Sequence, residues 1–398
     1  MIMNKRKRRK CMFWSGVVGS ITTVLVVVAV RDVLLASSLI CTTYDIINNH
    51  ISSLCSETNL LGGQELCREL CVDDIASKIT CHTFHLNKPA VFTLDNGSKK
   101  VIKAVIKMED QKVPMEEVSG EEEEVYWKLK KSKQYFPRKE ELLNMVNVHV
   151  KNFLGNEVSP EVINKLVNHS HLYQSEKESL DTHRNFWLLI EDHEFLTAVI
   201  FEKLKIFPSI LGTCGTYYSM QHFEPLTKNA MRPFKLTWRN RIWKGLDILR
   251  YISHLETIWR EPLHLCDVKH DHFGWDHEGN LVFLDLDAVL PESSLLRTME
   301  STPHCSGNDD CSYFDCMGRC HLRTSKCELE RTNTNLQVVC DKVFLGNTEG
   351  LLSLYGLLVS EEATGELVEA LELCKTNRGM TIDGMMDVLT RASNALMY

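Results

Sequence analysis

Leu265-Cys266-Asp267-Val268-Lys269-His270-Asp271-His272-Phe273, followed shortly by Leu281-Val282-Phe283-Leu284-Asp285-Leu286-Asp287, is the stretch on which the reading of this chain turns. The second segment opens as a hydrophobic strand and ends in carboxylates. Asp267 and Asp285 stand 18 positions apart, each at the end of a short apolar run, so both can face one site. Phosphoryl transfer uses two carboxylates in this way: one orients the attacking hydroxyl and the other holds a metal ion on the phosphates. A lysine on an upstream strand, paired to a helix glutamate, clamps the phosphates. Lys103 and Glu194 occupy suitable places in the order of elements. Taken singly, these are ordinary residues: a turn aspartate, a strand-edge lysine, a helix glutamate. The joint order Lys, Glu, Asp, Asp on strand, helix, loop and strand end carries the inference.

Upstream, the element order agrees. Val91-Phe92-Thr93-Leu94 and Val101 to Lys107 flank Asp95-Asn96-Gly97-Ser98. Asn-Gly between β-formers is a strong hairpin signal. Residues 116–133 are charged, with Glu121 to Glu124 ahead of Lys128, Lys130, Lys131 and Lys133, and read as a solvated loop or helix face. Ser159-Pro160 starts a helix that runs to about Asn168. A second helix begins near Asp181, with Phe186, Leu189, Ile190, Leu196 and Ile200 at helical spacing. Gly212-Thr213-Cys214-Gly215 then turns a second hairpin. A long amphipathic helix follows from about Trp238 to Ile258, with Ile242, Leu246, Leu249, Ile252 and Leu255 as its stripe.

With these residues in view, the chain resembles the divergent protein kinase domain family, in its cysteine-rich, type II, endoplasmic-reticulum branch. Carrying the resemblance are Leu211-Gly212-Thr213-Cys214-Gly215, Cys266-Asp267 with Phe273-Gly274, and Asp285 ahead of Val289-Leu290-Pro291-Glu292. The run from His304-Cys305 through Asp309-Asp310-Cys311 to Cys316, Cys320 and Cys327 is its most specific part. It implies an α+β, two-lobed protein-kinase-like fold with disulfide-rich additions. Lys103 then matches the strand lysine, with Lys107 as a rival, and Glu194 the helix glutamate, with Glu191 also eligible. Asp267 matches the catalytic-loop aspartate, and Asp285 the metal-binding aspartate before the activation segment. The implied cofactor is ATP with Mg²⁺ or Mn²⁺.

The departures bear on activity. The position five residues after the catalytic-loop aspartate, ordinarily Asn, is His272. A neutral imidazole is a poor Mg²⁺ ligand, and Asp271 is the nearby substitute. No glycine-rich phosphate loop precedes Lys103; Gly97 is the only glycine between Cys81 and that lysine. Asp287 stands where the metal-binding triplet has glycine. Some relatives carry a calcium-binding EF-hand, but Asn168 to Asp181 lacks the Asp-x-Asp-x-Asp-Gly pattern, so no calcium is expected.

At the amino end, Lys5, Arg6, Lys7, Arg8, Arg9 and Lys10 precede an uncharged run from Cys11 to Val30. Ten of its positions are Phe, Val, Ile or Leu, which together favour the bilayer by about 3–6 kcal/mol. Twenty helical residues span the hydrocarbon core, and the positive-inside rule keeps the basic end cytosolic. The expectation is an uncleaved anchor, with a cleaved signal peptide before Ala36-Ser37-Ser38 as the alternative. The basic run is either an endoplasmic-reticulum retrieval signal or a plain topology determinant. Fourteen of the fifteen cysteines lie beyond the anchor, an even number suited to disulfides. One cluster is Cys41, Cys55, Cys67, Cys71 and Cys81; the other is Cys305, Cys311, Cys316, Cys320, Cys327 and Cys340. Neither has zinc-ribbon spacing, and residues 305–340 are expected to hold three bridges. Asn96 and Asn168 head glycosylation triplets. A net charge of −8 argues against nucleic acid as a partner.

The expected organisation is a cytosolic tail (1–10), a transmembrane helix (11–30), a lumenal cysteine-rich segment (31–89), an N-lobe with a degenerate EF-hand-like insertion (90–224) and a C-lobe (225–398). The expected localisation is the endoplasmic reticulum membrane, single-pass type II. Two functions compete: an atypical kinase acting on a lumenal protein or glycan, and a kinase-shaped binding or scaffold module without transfer. A purely structural disulfide-rich ectodomain would not need the ordered Asp pair.

Overall fold

In a computed structural model, the described residues are 51–52, 54–55, 65–72, 79–81, 92–95, 99–105, 139–155, 158–169, 180–227, 234–346, 355–376 and 379–395. The chain divides into two compact units, Met1–Ile106 and Lys107–Tyr398. No helix among the described residues is long and apolar enough to cross a membrane. The anchor expected at 11–30 lies outside them, as do Lys107, Asn96 and most of the stretch read as a lost calcium loop.

The first unit holds helix α1 (Glu65–Val72) and strands β1 (Ile79–Cys81), β2 (Phe92–Asp95) and β3 (Lys99–Ala104). The strands form an antiparallel meander, with Ile79 opposite Leu94 and Phe92 opposite Ile102. β2 and β3 therefore pair as the expected hairpin, and its Asn96–Gly97 turn lies outside the described residues. Along β3, Ile102 and Ala104 are buried while Lys103 between them is half-buried, as the period-2 alternation of a strand requires. α1 buries Leu66, Cys67 and Leu70 on one face. It is tied to the residues before it by the Cys55–Cys71 disulfide, and Glu69 receives Lys100 Nζ at 2.7 Å.

The second unit is mixed α and β. Helix α2 (Lys139–Leu154) buries Leu142, Met145, Val146, Val150 and Leu154, an i, i+3, i+4 stripe. It ends at Gly155, whose φ of 73° suits glycine. A Cβ there would meet Ser293 Oγ at 2.3 Å. α3 (Pro160–His169) starts at the expected proline. The single helix expected from Asp181 onward is two, α4 (Leu180–Glu191) and α5 (His193–Ile200). The break falls at Asp192, whose extended backbone (φ −78°, ψ 112°) and side chain cap α5 by accepting from Phe195 N at 2.8 Å. Strands β4 (Ile210–Cys214) and β5 (Tyr217–Gln221) form the second hairpin, the short β6 (Glu224–Pro225) follows, and α6 (Trp238–Leu255) is the long amphipathic helix, capped by Thr237.

Beyond α6 come β7 (Leu263–Leu265), β8 (Phe273–Trp275), β9 (Leu281–Phe283), β10 (Val289–Pro291) and α7 (Glu292–Glu300). Several disulfides join described residues. Besides Cys55–Cys71 they include Cys266–Cys316, Cys305–Cys320, Cys311–Cys327 and Cys340–Cys374. All six cysteines of the 305–340 segment are oxidised, yet only two bridges are internal to it. Cys316 and Cys340 reach out to Cys266 and Cys374, because connectivity is decided by which sulfurs the fold brings together, and sequence clustering does not reveal that.

Candidate phosphoryl-transfer and metal site

Two strand pairings explain why distant carboxylates meet. β7 pairs antiparallel with β10, placing Leu265 opposite Val289, and β8 pairs antiparallel with β9, placing Phe273 opposite Phe283. The segments between those registers, 266–272 and 284–288, must then run side by side. Backbone bonds close the gap at both ends: Cys266 N donates to Ala288 O at 2.9 Å and Leu284 N to His272 O at 2.7 Å. Gly274 is required at one of these crossings, since a Cβ there would lie 2.8 Å from Leu284 Cδ1 and 2.9 Å from Phe223 Cβ.

Ligand atoms of Asp267, His272 and Asp285 accordingly lie within 4.8 Å of one another. The aspartate side chains are partly exposed, at 28% and 29%, while His272 is 10% exposed. Its Nε2 stands 3.3 Å from Asp285 Oδ2, and its Nδ1 is 2.9 Å from the Asp267 backbone oxygen. Its ring meets Phe283 edge to face at 5.6 Å, and Phe283 meets Phe273 at 5.2 Å. Asp271 is exposed on the short 3₁₀ turn His270–His272 and is not one of the three. The side chain that sequence reasoning set aside as a weak ligand is the one aimed at Asp285.

Lys269 escaped the sequence reading, although its spacing of two from Asp267 was visible. Its Nζ donates to Asp267 Oδ2 at 2.8 Å. Burial opposes the charge on Lys269, but the bond to Asp267 and the charges of Asp267, Asp285 and Asp271 outweigh it and raise the pKa above the usual lysine value. The ammonium stays charged and partly neutralises the carboxylate cluster.

The loop bearing Asp267 is held from behind. Cys266 is bonded to Cys316, Asp315 N donates to Cys266 O at 2.6 Å, and Val268 N donates to Asp315 Oδ2 at 2.8 Å. His270 is buried, and one ring nitrogen lies 3.0 Å from Val343 O, to which it can only donate. Burial lowers its pKa. Asn335 spans β7, accepting from Leu265 N at 3.0 Å and donating to Leu263 O at 2.9 Å.

Glu194 lies in the first turn of α5, 3% exposed, with the Tyr218 hydroxyl 3.4 Å from Oε2. That hydroxyl also donates to Asp192 Oδ1 at 3.0 Å. Burial, and then the charges of Asp192 and Glu194, hold the Tyr218 pKa well above the usual value, so it remains a donor. The neighbouring His193 donates from Nε2 to Val289 O at 3.0 Å, fixing α5 to the segment just after Asp285. Glu191, the alternative, ends α4. Lys103 sits half-buried in the first unit. Asn168 is exposed near the end of α3.

A family model described as the protein-kinase domain of FAM69 matches residues 186–377. A second, described as the N-terminal cysteine-rich endoplasmic-reticulum part of FAM69, matches residues 9–169. Among solved structures, that of Rv3197 with erythromycin from Mycobacterium tuberculosis is similar over 62% of this chain, at 16% identity and a TM-score of 0.25. The chain spans about half of that protein's length, 55%. A likeness at that score bears on neither fold nor function.

Proposed function

The chain belongs to a divergent, kinase-like, cysteine-rich family, and on that premise we propose that it is an atypical phosphotransferase of the secretory pathway. In this reading it is two-lobed, anchored in the endoplasmic reticulum membrane as a single-pass type II protein, and transfers phosphate from ATP to a lumenal protein or glycan. The observation that carries the reading is the convergence of Asp267, His272 and Asp285 within 4.8 Å, with Lys269 on Asp267. Two carboxylates and an imidazole suit a divalent ion.

Bound nucleotide would supply the phosphoryl group and a bound metal would screen its charge; the chain's own part is positioning. Asp285, fixed between β9 and β10, would hold the ion. Asp267 orients the acceptor hydroxyl and takes its proton as transfer proceeds. Lys269, 2.8 Å from Asp267 Oδ2, holds that carboxylate in place and balances its charge. Lys103 and Glu194 keep the roles that the resemblance gives them.

A second reading, a kinase-shaped binding or scaffold module, is favoured by the missing glycine-rich loop ahead of Lys103. Single-turnover transfer from ATP to secretory-pathway acceptors separates the two. The first predicts phosphate incorporation by the wild type that is lost in Asp267→Ala while nucleotide binding persists, because orientation acts chiefly in the transition state. Nucleotide binding without any incorporation supports the module instead. Topology has its own test: protease added to sealed microsomes should leave everything beyond about the first ten residues intact, and cleavage near Asn168 would refute it.

A further inference from the structure

His272 carries information about the ion. Its Nδ1 lies 2.9 Å from the backbone oxygen of Asp267. A carbonyl oxygen only accepts, so Nδ1 bears the proton. In the neutral imidazole Nε2 therefore presents a lone pair, and it faces Asp285 Oδ2 at 3.3 Å. Two acceptors so placed are held together only by a proton or a cation shared between them, and both are ordinary partners for a carboxylate beside an imidazole. The ring cannot turn away, being nine-tenths buried and packed edge-on against Phe283.

We propose that Asp285, His272 and Asp267 form a site for a divalent transition-metal ion, of the Mn²⁺ class in preference to Mg²⁺, with His272 Nε2 as a ligand. The proposal deepens the phosphoryl-transfer reading of the same site and rests on it. Two ligand atoms bonded to one ion at about 2.0–2.2 Å are roughly 3 Å apart at a right angle, close to the spacing found. An N–H to a backbone carbonyl on the far side of the ring is the usual support of a metal-bound histidine, since it fixes the tautomer and directs the other nitrogen. Imidazole binds Mg²⁺ poorly and first-row transition metals well. Asp267, whose Oδ2 already holds Lys269, supplies the third and weakest contact. Asn in place of His272 would offer an oxygen and lose this preference.

The test uses the untagged full-length chain and Mn²⁺ alone, without nucleotide. Loss of the free-ion signal in electron paramagnetic resonance gives the affinity, and electron spin echo modulation reports directly bonded ¹⁴N. The expected result is one bound Mn²⁺ with an imidazole nitrogen coupling, which Mg²⁺ displaces only when in excess over Mn²⁺. In His272→Asn the nitrogen coupling should vanish and the preference for Mn²⁺ should shrink. The wild-type spectrum needs no variant, so misfolding of the variant does not blunt the test. No Mn²⁺ binding, binding without nitrogen coupling, or a coupling that survives in His272→Asn would overturn the proposal. In the first two cases His272 is an ion-pair partner of Asp285 only. Nitrogen-coupled Mn²⁺ with no response to ATP would instead overturn phosphoryl transfer and leave the metal site standing. A response to ATP without nitrogen coupling would do the reverse.

Discussion

Removing the Cys266–Cys316 bridge by a paired change to alanine tests the link between the cysteine-rich segment and the site. The bridge closes a 50-residue separation, whereas Cys305–Cys320 closes one of 15. With the chain-entropy relation these loops correspond to about 4 and about 3 kcal/mol of restriction on the unfolded chain. All four sulfurs are buried, so the cost of truncating each side chain is similar in the two pairs. The first double variant should therefore lose about 1 kcal/mol more than the second in guanidinium unfolding under non-reducing conditions. Function should separate them further. Cys266 adjoins Asp267, and Asp315, next to Cys316, holds the Val268 N–H at 2.8 Å; Cys305–Cys320 touches none of these. Mn²⁺ affinity should fall in the first variant and stay at the wild-type level in the second. Equal stability losses, or equal losses of metal affinity, would refute the claim that this bridge holds the catalytic-type loop.

Other consequences follow from the same geometry. Gly155→Ala forces a side chain onto φ 73° and into Ser293 Oγ, so urea unfolding should show a loss of about 1–3 kcal/mol. The His264 pKa is pushed down to about 3, by burial and then by the Arg331 charge. Below the unfolded value of about 6.5 the unfolded chain binds the extra proton, so this group's stabilisation is complete above that pH. It declines by about 1.4 kcal/mol per pH unit on acidification toward the folded value, and His264→Gln should flatten the pH profile of stability over that window. Tyr218→Phe removes the donor to Asp192 Oδ1 and should cost about 1.5–3 kcal/mol by thermal unfolding.

Much of the scaffold was legible because its signals are local. Asn96-Gly97 marked the first hairpin, Ser159-Pro160 the start of α3, and the Ile242 to Leu255 stripe the length of α6. Helix α2 had an equally readable stripe, Leu142 to Leu154, that went unread beside the charged stretch preceding it. Asp192 was harder. An acidic residue inside an apolar helical pattern looks like a solvent-facing position until its extended backbone and its bond to Phe195 N reveal a cap. That Asp267 and Asp285 come together was legible from order and spacing, since both end strand-like runs. The approach of His272 to Asp285 was not, because a residue type does not reveal which ring nitrogen meets which oxygen. The pairings of Cys316 and Cys340 failed for the same reason: their partners are 50 and 34 residues away, and only the fold selects them.

Nucleotide- and metal-dependent thermal stabilisation of the full chain tests the central claim most directly. ATP with Mn²⁺ at about 100 times its dissociation constant should stabilise the wild type by about 2.7 kcal/mol. The response should require both ligands, survive in Asp267→Ala and disappear in Asp285→Ala, with the disulfide pattern unchanged throughout. A wild type that shows no response to ATP at any Mn²⁺ or Mg²⁺ concentration, or an Asp285→Ala variant that responds as the wild type does, would contradict it.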